Sequence, residues 1–387
     1  MKKIICICSC ISLSVIQSFG QSWVTQASGT GAALNSVYFA SATHGWAVGS
    51  GGVIVATTDG GTTWGSLTSG TSVQLNSVNF SSLSSGLAVG SGGTVLKTTN
   101  GGAAWSNVTS SIPFNLTSVC LTSGTAGFVA GDMGGAGVTS NGGSTWAGMA
   151  TNTANGLNCI SFVSNTQGAI CGVNGVILKT TNGGGSWTSQ SSGLTVSFNS
   201  IKFISATEGW VAGNGGTILH TTNGGTSWTA QTSGVTTHLM SIFFTDALNG
   251  WAAGADKILS TTDGGATWTS SVVTANFLSD IFFVDSSHGW AVGSNGTILK
   301  YSGQSSTTAL KEYNPNGAFR LFPNPASSLL TIQTEEDINE VAIYDLFGGL
   351  VKLEKEKSFS VAGLSQGVYL VRLSTENGIN TARFIKE

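Results

Sequence analysis

Asp280 is the side chain of this 387-residue chain whose position most invites chemistry. At the equivalent point of six sequence repeats stand Ser36, Ser77, Ser118, Cys159, Ser200 and Ser241, each an uncharged residue on the first strand of its repeat. An acid there, beside Asp256 from the preceding repeat, is the kind of carboxylate pair that glycosidic-bond hydrolysis uses, one group as acid and the other as base or nucleophile. A second reading is that Asp280 only accepts hydrogen bonds at the mouth of a channel. The short connection between the second and third strands of each repeat favours it, because catalytic residues usually ride on longer loops. Of the other acids outside the repeated turns, Asp132 shares that face, whereas Glu208, Asp246 and Asp285 fall near turns on the opposite one. His44, His220, His238 and His288 are scattered and lack the spacing of metal ligands. No Ser-His-Asp pattern appears, and GSGGT and GNGGT read as turns rather than phosphate cradles. Neither a metal nor a cofactor is expected.

These side chains must be positioned by a repeat. TTDGGTTW, ending at Trp64, returns as TTNGGAAW, TSNGGSTW, TTNGGGSW, TTNGGTSW and TTDGGATW, ending at Trp105, Trp146, Trp187, Trp228 and Trp268. A second motif, GWAVG at Gly45, recurs at Gly86, Gly127, Gly168, Gly209, Gly250 and Gly289. A period near 40 residues holding several short strands marks a β-propeller, each unit being one blade. Blade 1 reads as LNSVYF (strand A), GWAVGS (B), VIVATT (C) and TTWGSLT (D), with the box in the C-to-D turn. There Asp59, Asn100, Asn141, Asn182, Asn223 and Asp263 can accept backbone N–H bonds while Gly permits positive φ and the Trp fills the space between sheets. The GWAVG motif occurs seven times and the box six. Trp23, 41 residues before Trp64, supplies the missing piece: the N-terminal segment is strand D of blade 7, whose strands A to C are residues 278–302. The ring is closed by both ends of the propeller sequence and leaves no free sheet edge.

Composition excludes further classes. Only 9% of residues are charged, and the five lysines between residues 22 and 303 (Lys97, Lys179, Lys202, Lys257 and Lys300) cannot form the basic stripe that neutralises a phosphate backbone, so no nucleic acid is expected. Lys97, Lys179, His220 and Lys300 share one register of strand C, which reads as solvated edge charge or as a weak polar ring for an acidic partner. Cys159 and Cys171 fall on consecutive strands and could face each other; otherwise they and Cys120 are small buried hydrophobes.

The two chain ends read as an address. Lys2 and Lys3 precede an apolar run from Ile4 to Ile16 that is too short to span a membrane, and Ser18 and Gly20 supply small residues for cleavage before Gln21. Residues 1–20 are therefore expected to be a signal peptide that carries away Cys6, Cys8 and Cys10, leaving no transmembrane segment in the mature chain. A propeller at 21–303, a polar linker at 304–317 and a terminal domain at 318–387 follow. In that last domain short alternating segments predict a small Ig-like β-sandwich.

Three resemblances bear on these parts. The box is similar to the Asp-box, or bacterial neuraminidase repeat, which Thr57, Asp59, Gly61, Thr63 and Trp64 match position by position. That resemblance implies a structural turn on the face away from an active site. Sialidases hold the substrate carboxylate with arginines, and residues 21–303 contain none. With its NGG boxes and GWAVG strands, the whole propeller resembles the photosystem II assembly and stability factor family, which implies seven blades. Pro323-Asn324-Pro325, Tyr344-Asp345, Gly367-Val368-Tyr369-Leu370 and Phe384-Ile385-Lys386 resemble the C-terminal sorting domain of the type IX secretion system. This implies export by that machinery to the surface of a Gram-negative bacterium. The expectation is an all-β, secreted or surface-attached propeller that binds an unknown surface protein or glycan or serves as a scaffold. The alternative is a glycoside hydrolase using Asp256 and Asp280.

Overall fold

The structure, a computed structural model, describes residues 22–302, 319–334, 336–345, 350–376 and 378–387. The expected leader at 1–20 and linker at 304–317 lie outside the described residues. Two compact units divide the chain, one up to Gln304 and one from Ser305.

The first unit contains seven antiparallel sheets of four strands, each ordered A-B-C-D. In blade 1 these are Leu34–Phe39, Gly45–Gly49, Ile54–Thr57 and Gly65–Leu67. Strand D begins just after Trp64, three residues later than its sequence suggests, because Asp59 and Thr57 hold the box as a turn through Thr63. The A strands of successive blades contact one another around a closed circle, the last meeting the first. Strand B is buried along its whole length (Gly45–Gly49), since each sheet is covered by a neighbour on both faces, while strand D is largely exposed at the rim. Buried Val, Ile, Leu and aromatic side chains fill the space between sheets, one cluster to each interface.

Blade 7 combines both ends of the propeller sequence. Leu278–Asp285, His288–Gly293 and Ile298–Ser302 are its strands A to C, and Ser22–Gln26 pairs antiparallel with the last of them, Trp23 opposite Tyr301. The Trp23 ring meets Phe283 edge-on, with centroids 5.9 Å apart at 88°, as the Trp64 ring meets Phe39 at 5.8 Å and 86°.

Strand A carries a register shift near its start, as between Leu34 and Ser36, in blades 1 to 5 and 7. Such a bulge lets Leu34 stay in the sheet core while Ser36 turns to the axis, which simple alternation would forbid. Positions 36 and 38, with their counterparts in every blade, line a central channel.

The second unit is a β-sandwich. One sheet holds Arg320–Phe322, Leu329–Gln333 and Ser358–Ser360; the other holds Leu350–Glu354, Ile338–Tyr344, Gly367–Thr375 and Gly378–Lys386. Leu330, Ile332 and Phe359 from the first meet Val341, Ile343, Val371 and Phe384 from the second in one core. Asn324 ties the Pro-Asn-Pro turn to the terminal strand, donating to Arg383 O and accepting from Ile385 N.

Candidate functional site

The six boxes share one geometry. In the first, the Thr57 hydroxyl donates to Asp59 Oδ1 and accepts from Gly61 N; Asp59 in turn accepts from the Thr63 backbone and hydroxyl. Those Thr63 bonds, followed by that from Thr57, hold the Asp59 carboxyl at about 2, well under the usual carboxylate range, and Thr267 and Thr261 do the same for Asp263. Asn100, Asn141, Asn182 and Asn223 accept the corresponding backbone N–H through Oδ1. Gly61 has φ +89°, and a Cβ there would lie 3.1 and 3.2 Å from the indole nitrogens of Trp64 and Trp290. Each acid or amide thus spends its oxygens closing a local turn.

The boxes also join blades. Trp46 of strand B donates its indole N–H to Gly101 O in the box of blade 2, Trp210 to Gly264 O in that of blade 6, and Trp290 to Gly60 O in that of blade 1. Each of these indoles stacks on the Phe that ends strand A of that next blade, at 3.4 to 3.6 Å between centroids. Trp251 stacks in the same way on Phe283, yet its buried N–H has no partner among the described residues. Blade 7 explains the difference: its strands C and D come from opposite ends of the propeller sequence, so it has no box carbonyl to offer. The rings of Trp64, Trp105, Trp187, Trp228 and Trp268 stand edge-on to the Phe of their own blade, at 5.8 to 6.0 Å. Trp146 packs against the cluster between blades 2 and 3.

Around the channel two further sets of hydrogen bonds cross blade interfaces, the first at five of the seven and the second at all seven. Asn35, Asn76, Thr117, Asn158 and Asn199 each donate to the strand A carbonyl of the next blade. One residue on, Ser36, Ser77, Ser118 and Ser200 accept the next blade's N–H, while the Cys159 thiol donates instead to Ile201 O. Asp280 completes this second ring. Its Oδ2 accepts from Val37 N of blade 1 at 3.0 Å, and its Oδ1 from Ser241 Oγ of blade 6 at 2.8 Å and from Ile281 N at 2.9 Å. Burial pushes the Asp280 carboxyl above the usual range, partly offset by those donors and by Ser36.

Asp256 has different company. It occupies a tight turn after Gly254, where Ala255 takes φ +48° and the connection between strands B and C is one residue shorter than in the neighbouring blades. Lys257 Nζ lies 2.9 Å from Asp256 Oδ1 and holds that carboxyl below its usual value. The two carboxylates therefore have separate partners, and the geometry offers no support for the acid–base pair considered from the sequence.

Other candidates are engaged locally. Lys97 Nζ donates to Ser144 Oγ in the next box, Lys300 lies 6.0 Å over the Trp290 ring, and His220 stacks on Trp210 while meeting Glu208 at 3.2 Å. Cys159 and Cys171 are register partners and both thiols are free. Among the described residues no group of three His, Cys, Asp or Glu could hold a metal ion, and no helix is long and apolar enough to cross a membrane. What sequence reasoning missed is Lys202. Its ammonium enters the channel one layer above the serine ring, 4.4 Å from the Phe243 ring centroid. The cue was available: the corresponding positions are Tyr38, Asn79, Cys120, Ser161, Phe243 and Phe282, with no other charge.

Comparison with known proteins agrees with this architecture. The family described as photosynthesis system II assembly factor YCF48 matches residues 16–158, 138–233 and 229–302, and the secretion system C-terminal sorting domain matches residues 320–387. No curated protein matches the chain. Among solved structures, "YCF48 bound to D1 peptide" is 22% identical with a TM-score of 0.64, covering 73% of this chain and 97% of that one. "YCF48 from Cyanidioschyzon merolae" is 22% identical with a TM-score of 0.63, over 73% and 99%. The WD40 propeller domain of Doa1, at 14% identity and a TM-score of 0.61, covers 74% and 97%. At these identities the structures speak for the fold alone. The sorting domain marks the protein for type IX secretion, to the surface of a Gram-negative bacterium or beyond it. With well over half its length matched in successive segments, the chain belongs to the photosynthesis system II assembly factor YCF48 family, joined here to a secretion system C-terminal sorting domain.

Proposed function

We propose that the propeller works outside the cell as a non-catalytic binding module, or scaffold, whose partner is a polypeptide. The observation that carries this reading is the environment of Asp280. The oxygens of Asp280, the acid that lines the channel, are taken by Val37, Ser241 and Ile281, so the residue links blades 6, 7 and 1, and no second carboxylate lines the channel beside it among the described residues. A polypeptide partner is favoured over a glycan because a solved propeller of similar fold is described as bound to a D1 peptide. The sorting domain exports the propeller to the cell surface or outside it, which supports a partner met there rather than in a photosystem.

Cross-linking of the exported protein on intact cells, followed by identification of what it captures, tests the reading alongside a glycan array and a reducing-sugar assay on surface polysaccharides. A captured surface polypeptide with no sugar release is the expected result. Sugar release that disappears in Asp280→Asn or Asp256→Asn would replace the proposal with a hydrolase, and a glycan hit without polypeptide capture would replace the partner.

A further inference from the structure

We infer that the central channel holds a binding site for a small aromatic carboxylate, with Lys202 as the cation that receives the carboxylate and Tyr38, Phe243 and Phe282 as the wall that receives the ring. This inference does not depend on which partner the outer surfaces bind. The channel offers about 190 Å³, well beyond the ~10–15 Å³ that admits a single water. On one side Phe282 lies 4.8 Å from Tyr38 and 5.0 Å from Phe243, ring centroid to centroid, at tilts of 51° and 57°. These three residues come from blades 7, 1 and 6 and make one continuous aromatic surface.

Lys202 faces that surface from blade 5. Among the described residues its ammonium pairs with no carboxylate and has no hydrogen-bond acceptor; the Phe243 ring is what it touches. Lys97 and Lys257, by contrast, each meet an oxygen. Burial holds the Lys202 ammonium below the ordinary lysine range, and a bound anion is what would relieve that cost. Asn79 adds to the same layer: its Oδ1 is used by Leu121 N, leaving its amide donors for the channel. Tyr38 contributes a phenol. The layer therefore presents donors and ring faces. The nearby acid, Asp280, stands two residues back from Phe282 on the same strand, about 7 Å along it, with its oxygens already occupied. A flat anion satisfies every one of these groups, whereas an amine or a neutral polar molecule leaves the ammonium as it is.

Fluorine NMR of 4-fluorobenzoate with the full mature chain tests the site, with 4-fluorobenzamide as the neutral molecule of similar shape. The carboxylate signal should broaden or shift in a saturable way, the amide signal should not, and Lys202→Met should weaken binding by about tenfold or more, as loss of a hydrogen bond to a charged group does. Tyr38→Phe, which leaves the fold and the charge alone, should weaken it several-fold, so the proposal stays testable if Lys202→Met folds poorly. Equal binding of the amide, undiminished binding in a folded Lys202→Met, or no carboxylate binding at all would overturn it.

Discussion

An aspartate and an asparagine differ by one atom, and the boxes of this propeller use both for one turn. The difference shows in acid. Folding lowers the carboxyl groups of Asp59 and Asp263 to about 2, because the Thr hydroxyls and N–H groups around each favour its charged form. A carboxyl with a lowered folded value contributes stability above its unfolded value near ~3.9 and loses it as pH falls through about 2. The Asn boxes have nothing to lose there. Asp59→Asn with Asp263→Asn should therefore make the unfolding midpoint in urea fall less steeply between pH ~4 and ~2. The fall should shrink rather than vanish, since Asp246 and Asp285 are also lowered by their turn hydrogen bonds, against the opposing effect of burial. Asp280 has the opposite sign. Its folded value is raised, so its contribution is present at low pH and is lost as pH rises through that value. Asp280→Asn should accordingly gain on the wild type as pH climbs from ~4 toward neutrality, whereas Asp280→Ala, which strands Val37 N, should cost about 1–3 kcal/mol. A set of urea midpoints across pH in these variants decides both signs.

Between elements, three of the seven blade interfaces are joined by a strand B indole that stacks on the next blade's Phe and donates to the next blade's box. Trp290→Phe removes the bond to Gly60 O and should cost about 0.5–1.5 kcal/mol beyond the loss of ring area. Trp251→Phe removes the same area and no bond, so in calorimetry it should be the milder change by that margin. Little of this could be read from the sequence. The 41-residue step from Trp23 to Trp64 was enough to count blades and to assign the closing strand, because identical turns and identical spacing demand identical sheets. Interfaces are another matter. Asp280 was visible as an exception among serines, but its partner Val37 is 243 residues away and appears only when the ring closes. The proximity of Asp256 was inferred from neighbouring blades, yet a one-residue shortening of its turn and the adjacent Lys257 give it a different role. Lys202 looked like one scattered lysine because periodicity assigns it to an inward position without saying how few acceptors that layer contains.

For the whole molecule, the two units divide the work between address and activity. The sandwich that begins near Phe319 is the type IX sorting domain, and deleting residues 318–387 should leave the propeller folded but inside the cell envelope. Protease digestion of intact cells, which should remove full-length protein from the surface and spare the truncated form, checks this; surface display of the truncated chain would contradict it. The propeller itself has no sheet edge to spare only if its first strand is seated in its last blade. Ser22–Gln26 pairs along the whole of its length with Ile298–Ser302, and Trp23 packs against Phe283 and Tyr301. Truncating an aromatic in such a place costs about 3–5 kcal/mol, a large part of the about 5–15 kcal/mol that holds a typical domain together. The measurement that bears on this most directly is a thermal melt of the chain lacking residues 21–33, run beside Trp23→Ala and Trp105→Ala. The closed ring requires the deletion to melt far lower or aggregate, and Trp23→Ala to weaken the protein nearly as much as Trp105→Ala; an unchanged melting temperature in the deletion would contradict closure by the N-terminal strand.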